Sequence, residues 1–186
     1  MFFLGIKLEI EGNLDESCDL ILINHQSMLD IIVMEHLHNR NIAWVAKKEI
    51  TDLFFFGHII KAPRMISIDR ENKAGLIHLL SEVKDRLSKG RPIAMFPEGT
   101  RSDGTYIGEF KAGAKMVGNK FNLKVQPVVM FNTRNIVNSQ KMEASPGVVK
   151  VIYLKPVVAS KDTSWYEDCE KNMKEVFEKE YKNYVS

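Results

Sequence analysis

The sequence predicts an α/β domain, on two observations. Short apolar runs of strand length recur along the chain, and the stretches between them space their apolar residues as helices do. That alternation builds a sheet covered by helices. At 186 residues the chain fits one domain, with no repeat, low-complexity tract or linker to divide it. A domain of this size buries an ordinary core without metal or disulfide staples.

Each element follows from a local pattern. Lys7 to Glu11 (KLEIE) alternates and reads as an edge strand. Leu20-Ile21-Leu22-Ile23 is a buried-strand run, followed by a helix from Met28 to Leu37. Ile42 to Ala46 and Met65 to Ile68 are the next strands. Residues 72–88 place Leu76, Leu80, Val83 and Leu87 on one helical face, and Gly90 ends that helix. Ile93 to Phe96 is a strand, residues 110–120 a helix, and Val125 to Phe131 and Val148 to Leu154 are strands. Asp162-Thr163-Ser164 offers capping chemistry for a last helix, about 162–183. Its stripe of Trp165, Cys169, Met173, Val176 or Phe177, and Tyr181 marks a docking face with a solvated Glu/Lys back.

Composition narrows the function. Two cysteines, Cys18 and Cys169, make no disulfide framework and no metal-ligand spacing, which suits a reducing, cytosol-facing compartment. The net charge of +2 is uneven: −6 over residues 1–39, +7 over 40–124 and +1 over 125–186. The basic middle suits a phosphate, a coenzyme or an anionic membrane, although solvated helix faces give the same tally. No dense basic run or aromatic–basic motif points to nucleic acid. No segment approaches the ~20 apolar residues of a membrane span. Leu53-Phe54-Phe55-Phe56 is the best interfacial candidate, and three adjacent phenylalanines equally suit a core.

Three strings at strand ends carry chemistry, where active-site groups of open α/β sheets gather. Asn24-His25-Gln26-Ser27-Met28-Leu29-Asp30 places an imidazole on a turn and a carboxylate in the first helical turn. The five-residue spacing can bring the two together. Ser27-x-x-Asp30 also fits a capping box, and the two readings can coexist. Phe96-Pro97-Glu98-Gly99-Thr100-Arg101-Ser102 supplies a glycine for close backbone approach and an arginine suited to phosphate. Its bland reading is a surface turn with a weak Glu98–Arg101 pair. Ile68-Asp69-Arg70 offers a second arginine. Glu35-His36-Leu37-His38 places its histidines on different helix faces, so no metal is expected.

Together and in this order the strings resemble the glycerolipid acyltransferases of the lysophosphatidic acid acyltransferase type. Residues 24–30 match N-H-x-S-x-x-D, residues 96–102 match F-P-E-G-T-R-S, and 68–70 match I-D-R. Val125-Gln126-Pro127-Val128-Val129 looks like the late block around a proline, and Ala46 to Glu49 and Phe55-Phe56-Gly57 resemble the stretch between the first two motifs. The likeness runs from about Gly5 to Pro156. Pro63-Arg64-Met65 stands where the family usually carries a glycine, and no run among these 186 residues matches the N-terminal membrane helices the family usually has.

The resemblance implies a single domain over 1–186 with a motif-bearing core of about 5–156. It also implies a mixed, largely parallel sheet flanked by helices. The expected reaction moves a fatty acyl group from acyl-CoA or acyl carrier protein to the sn-2 hydroxyl of lysophosphatidic acid. It takes place on the cytoplasmic face of a membrane, with no cofactor and no nucleic acid partner.

A neutral histidine suits the proton transfer, so His25 is the expected general base and Asp30 its orienting carboxylate. No G-x-S-x-G elbow is present, and Ser27 reads as a cap, so direct transfer is expected. Arg70 and Arg101 are the expected phosphate ligands, with Lys111 a further one. Glu98, Gly99 and Thr100 belong to the same substrate loop, and the resemblance gives Glu98 a role in acceptor binding. Rival readings are a sibling enzyme acting on glycerol-3-phosphate or another lysophospholipid, a thioester hydrolase, and a non-catalytic lipid-binding module.

Overall fold

A computed structural model describes residues 5–47, 65–68, 73–138 and 141–185. Its elements in order are β1 (Ile6–Glu11), β2 (Leu20–Ile23), α1 (Leu29–Leu37), β3 (Ala43–Lys47), β4 (Ile66–Ile68), α2 (Lys73–Ser88) and β5 (Ile93–Met95). There follow α3 (Ala112–Phe121), β6 (Lys124–Phe131), α4 (Thr133–Ile136), β7 (Val137–Asn138), β8 (Glu143–Ala144), β9 (Gly147–Tyr153), β10 (Val157–Val158) and α5 (Trp165–Val185). The expected strands and helices are all found within about three residues, the last helix starting at Trp165 rather than 162. The additions are α4, the short β7–β8 pair and β10, each too brief to carry a periodic signal.

The main sheet runs β1-β9-β6-β2-β5-β3-β4, with β10 also paired to β6. Pairing is parallel except where β6 meets β9 and β10, so the sheet is mixed and largely parallel. Leu20, Ile21, Leu22 and Ile23 all have 0% exposure, as a central parallel strand covered on both faces must. Leu20 and Leu22 face a cluster with Leu79, Val83, Val117, Trp165 and Cys169, from α2, α3 and α5. Ile21 and Ile23 face the opposite cluster with Leu29, Val33 and Met34 of α1.

Pro127 sits in β6, where a missing backbone N–H ordinarily breaks a ladder. It is tolerated because the partner on that side changes there. β9 pairs with Val128–Phe131 and β10 with Lys124 and Val125. The Gln126 amide bridges the gap, donating to the Leu154 carbonyl and accepting from the Asp15 amide.

β6, β2 and β5 are adjacent and parallel, so their carboxyl ends form one edge. From that edge lead the segments 24–30, 96–102 and 132–136. The expected interfacial stretch 53–56 and the I-D-R arginine, Arg70, lie outside the described residues. Among the described residues no helix is long and apolar enough to cross a membrane.

Candidate active site

The chain leaves β2 at Ile23 and turns at once. Asn24 fixes the turn to the neighbouring strand: its Nδ2 donates to the Met130 carbonyl at 2.9 Å and its Oδ1 accepts the Met130 amide at 2.7 Å. His25 follows, and α1 begins at Leu29, so Asp30 lies in the first helical turn. His25 Nδ1 and Asp30 Oδ2 are 2.8 Å apart, with Asp30 fully buried and the His25 side chain 12% exposed.

Asp30 Oδ2 also accepts the Gln26 and Ser27 amides, at 2.7 and 2.9 Å. One carboxylate therefore orients the imidazole and ties down the turn that leads into α1. Ser27, expected as a cap, precedes the helix's N-cap, Met28, which has no side-chain cap bond. Its hydroxyl accepts the Leu29 amide at 3.2 Å and donates to the Val137 carbonyl at 2.6 Å. Its proton therefore goes to a backbone oxygen of another segment, which leaves no hydrogen bond from Ser27 to the histidine.

The 96–102 string meets the 24–30 string directly. The Ser102 amide donates to the His25 carbonyl at 2.8 Å. The His25 amide donates to Glu98 Oε1 at 2.8 Å, and the Gly108 amide to Glu98 Oε2 at 2.6 Å. Glu98 thus braces the protein's own backbone on both oxygens and is 4% exposed. Burial pushes its carboxyl up to about 7, against the opposing pull of the two amides. Gly108 permits the close approach: a Cβ there would lie 3.1 Å from Glu98 Oε2.

Gly99 has φ +75° and closes a turn in which its amide donates to the Phe96 carbonyl. A residue with a side chain would be strained in that conformation. Thr100 is exposed and Arg101 half-buried on the same loop. Lys111, exposed at the start of α3, is tied to the loop by its amide, which donates to the Pro97 carbonyl at 2.8 Å. Its Nζ reaches to 4.0 Å from Glu109.

Three contributors were not anticipated. Phe96 stacks on the His25 ring, centroids 3.7 Å apart and planes 12° from parallel, and in turn stacks on Trp44. Thr133 donates its hydroxyl to Asp30 Oδ1 at 2.5 Å. Gln26 packs against that hydroxyl. The available signal for Thr133 was its place just past β6, at the same sheet edge as the two motifs. Glu35 and His38, by contrast, serve the fold. Glu35 accepts the Trp44 indole N–H, and His38 Nδ1 accepts the Arg40 amide.

A mixed α/β sheet with a histidine–carboxylate pair at the end of its central strand and a Glu-Gly-Thr-Arg loop beside it has the architecture of acyl-transfer enzymes. The family model described as Acyltransferase matches residues 6–131, and the chain belongs to that family. A 1-acyl-sn-glycerol-3-phosphate acyltransferase of Helicobacter pylori is 41% identical over 182 residues, covering 95% of this chain and 76% of that protein. A lyso-ornithine lipid O-acyltransferase of Brucella abortus is 31% identical over 138 residues, 70% of this chain and 51% of that one. The crystal structure of the lysophosphatidic acid acyltransferase PlsC from Thermotoga maritima superposes with a TM-score of 0.76. It is 24% identical and covers 98% of this chain and 74% of that one, so it bears on the fold.

Proposed function

We propose that the chain transfers a fatty acyl group from a thioester donor, acyl-CoA or acyl carrier protein, to the sn-2 hydroxyl of lysophosphatidic acid, forming phosphatidic acid. The single observation that carries the chemistry is the 2.8 Å bond between His25 Nδ1 and Asp30 Oδ2. It commits Nδ1 to the carboxylate and leaves Nε2 for the substrate proton. The acceptor comes from the relative 41% identical to this chain, which is named for that substrate.

His25 Nε2 takes the proton of the acceptor hydroxyl as its oxygen attacks the thioester carbonyl carbon. Asp30 stabilises the imidazolium that forms. The tetrahedral intermediate collapses, the C–S bond breaks, and the imidazolium returns the proton to the leaving thiolate. No covalent enzyme intermediate is needed, because a thiolate leaves readily. Burial holds both thiols far from reactivity, Cys18 up at about 11 and Cys169 up at about 12.

Arg101 and Arg70, with Lys111 as a further ligand, bind the acceptor phosphate, and Thr100 belongs to the same loop as Arg101. Glu98 and Gly99 shape the site through backbone. Both Glu98 oxygens hold amides, so it acts on the acceptor by placing His25 and the loop. The reaction takes place at a membrane surface, where the acceptor resides.

The test is a transfer assay with lysophosphatidic acid and each carrier, resolved by product mass, for the wild type and His25→Ala. Phosphatidic acid should form with at least one carrier, and His25→Ala should lose roughly 10²–10⁴-fold in turnover. A folded His25→Ala protein with near-normal turnover would refute the base assignment. Preference for lyso-ornithine lipid, or release of free fatty acid without acceptor, would refute the acceptor.

A further inference from the structure

We propose that Thr133, backed by Gln26, is a positioning residue of the reaction: a buried hydrogen-bond chain from Gln26 through Thr133 fixes the Asp30 carboxylate so that its other oxygen holds His25. The inference rests on the assignment of His25 as the base. Thr133 lies just beyond residues 6–131, the stretch that matches the family model.

Three donors converge on Asp30 Oδ2, namely His25 Nδ1, Gln26 N and Ser27 N. Oδ1 receives the Thr133 hydroxyl. Asp30 and Thr133 both have 0% exposure, so no bulk water replaces that donor. Without it an anionic oxygen would be buried unpaired, which is costly. The carboxylate would gain by rotating to share its amide donors between both oxygens, and that rotation draws Oδ2 off the imidazole. Asn132, in the left-handed region at φ +72°, sets the turn that delivers Thr133 from the end of β6. Its Nδ2 anchors the turn to the Val148 carbonyl at 2.9 Å. The donor is therefore on a pinned support.

Gln26 completes the chain. Its Oε1 lies 3.2 Å from Thr133 Oγ1, while its Nε2 is buried with no partner among the described residues. One hydroxyl proton cannot serve two oxygens. Asp30, the charged acceptor, takes it. Exchanging the amide oxygen and nitrogen of Gln26, groups of nearly the same size, lets Nε2 donate to Oγ1. The order is then Gln26 Nε2–H to Thr133 Oγ1–H to Asp30 Oδ1, with Oδ2 receiving His25 Nδ1–H. Each link in that order has one donor and one acceptor, and each bond polarises the next.

The test compares Thr133→Val, which keeps shape and loses the hydroxyl, with Thr133→Ser, which keeps the hydroxyl and loses a methyl. Kinetics of the full chain are measured beside His25→Ala. Thr133→Val should lower kcat by roughly ten- to a hundredfold, the scale on which small misplacements of a catalytic group act, with both KM values little changed. Thr133→Ser should keep most of the wild-type kcat. Nitrogen NMR of the imidazole should show His25 protonated on Nδ1 in the wild type and in Thr133→Ser, and a mixture of tautomers in Thr133→Val. Packing alone predicts the reverse order, with Val tolerated and Ser impaired, and that result overturns the proposal. So does a wild-type tautomer in Thr133→Val. If Thr133→Val does not fold, Thr133→Ala against Thr133→Ser gives the same contrast, and equal losses overturn the inference. If His25→Ala keeps its turnover, the base assignment fails. If His25→Ala is inactive and Thr133→Val is normal, only the role of Thr133 fails.

Discussion

Both oxygens of the buried Glu98 carboxylate receive backbone amides, which favours the anion, while its apolar surroundings favour the acid. Burial is the larger effect and raises the carboxyl from its ordinary 4.5 to about 7. Between these values the folded chain holds a proton that the unfolded chain has released. Stability rises with pH only where the unfolded state binds more protons, so here the sign is reversed. The contribution is fully present below about 4.5 and is lost as pH rises through about 7. Glu98→Gln cannot titrate and should lack this slope. In urea unfolding from pH 5 to pH 8, the wild type should lose stability relative to Glu98→Gln by on the order of 2–3 kcal/mol. Parallel profiles would show that the two amide bonds win and that Glu98 stays ionised in the fold.

At the scale of elements, α3 seats on α5 through the absence of a side chain. A Cβ on Gly118 would stand 2.7 and 2.8 Å from two ring carbons of Trp165 and 3.0 Å from the Ala159 Cβ. The Trp165 ring cannot easily give way, because its Nε1 donates to Asn119 Oδ1 at 2.8 Å. Gly118→Ala gains about 1 kcal/mol of helix propensity, but overpacking costs about 1–3 kcal/mol. Thermal unfolding should therefore move to lower temperature while kcat of the folded protein is retained. An unchanged or higher midpoint would mean that the two helices part at little cost. The α5 side of this contact was legible in the sequence, because Trp165, Cys169, Met173 and Phe177 repeat with helical spacing and are all buried. The glycine side was not, since no periodic pattern marks a close approach. The same division runs through the site. His25 and Asp30 are five residues apart, and a strand-to-helix turn brings that spacing together. Thr133 reaches Asp30 across 103 positions, and only the neighbouring of β2 and β6 brings them into contact. Long-range pairing of that kind leaves no local mark in a sequence, and neither do strands of two residues such as β7 and β8.

At the scale of the whole molecule, the order β6-β2-β5 carries three chain segments to one sheet edge. Under the proposed function a lysophospholipid offers a hydroxyl to His25 and a phosphate to Arg101 and Arg70. If Arg101 and Arg70 bind the phosphate, their loss should act on the acceptor and spare the thioester. A charge-assisted hydrogen bond contributes about 1.5–3 kcal/mol, so each Arg→Ala change should weaken acceptor binding by roughly ten- to a hundredfold. Arg→Lys should recover only part of this, because lysine keeps the charge and loses the planar fork of donors. Against a monoacylglycerol, which has no phosphate, wild type and variant should be equally poor. The measurement is acceptor KM and kcat/KM for each variant at saturating donor, with both acceptors. If the arginines only hold their loops, both acceptors should suffer alike, and equal losses would replace the phosphate role with a structural one.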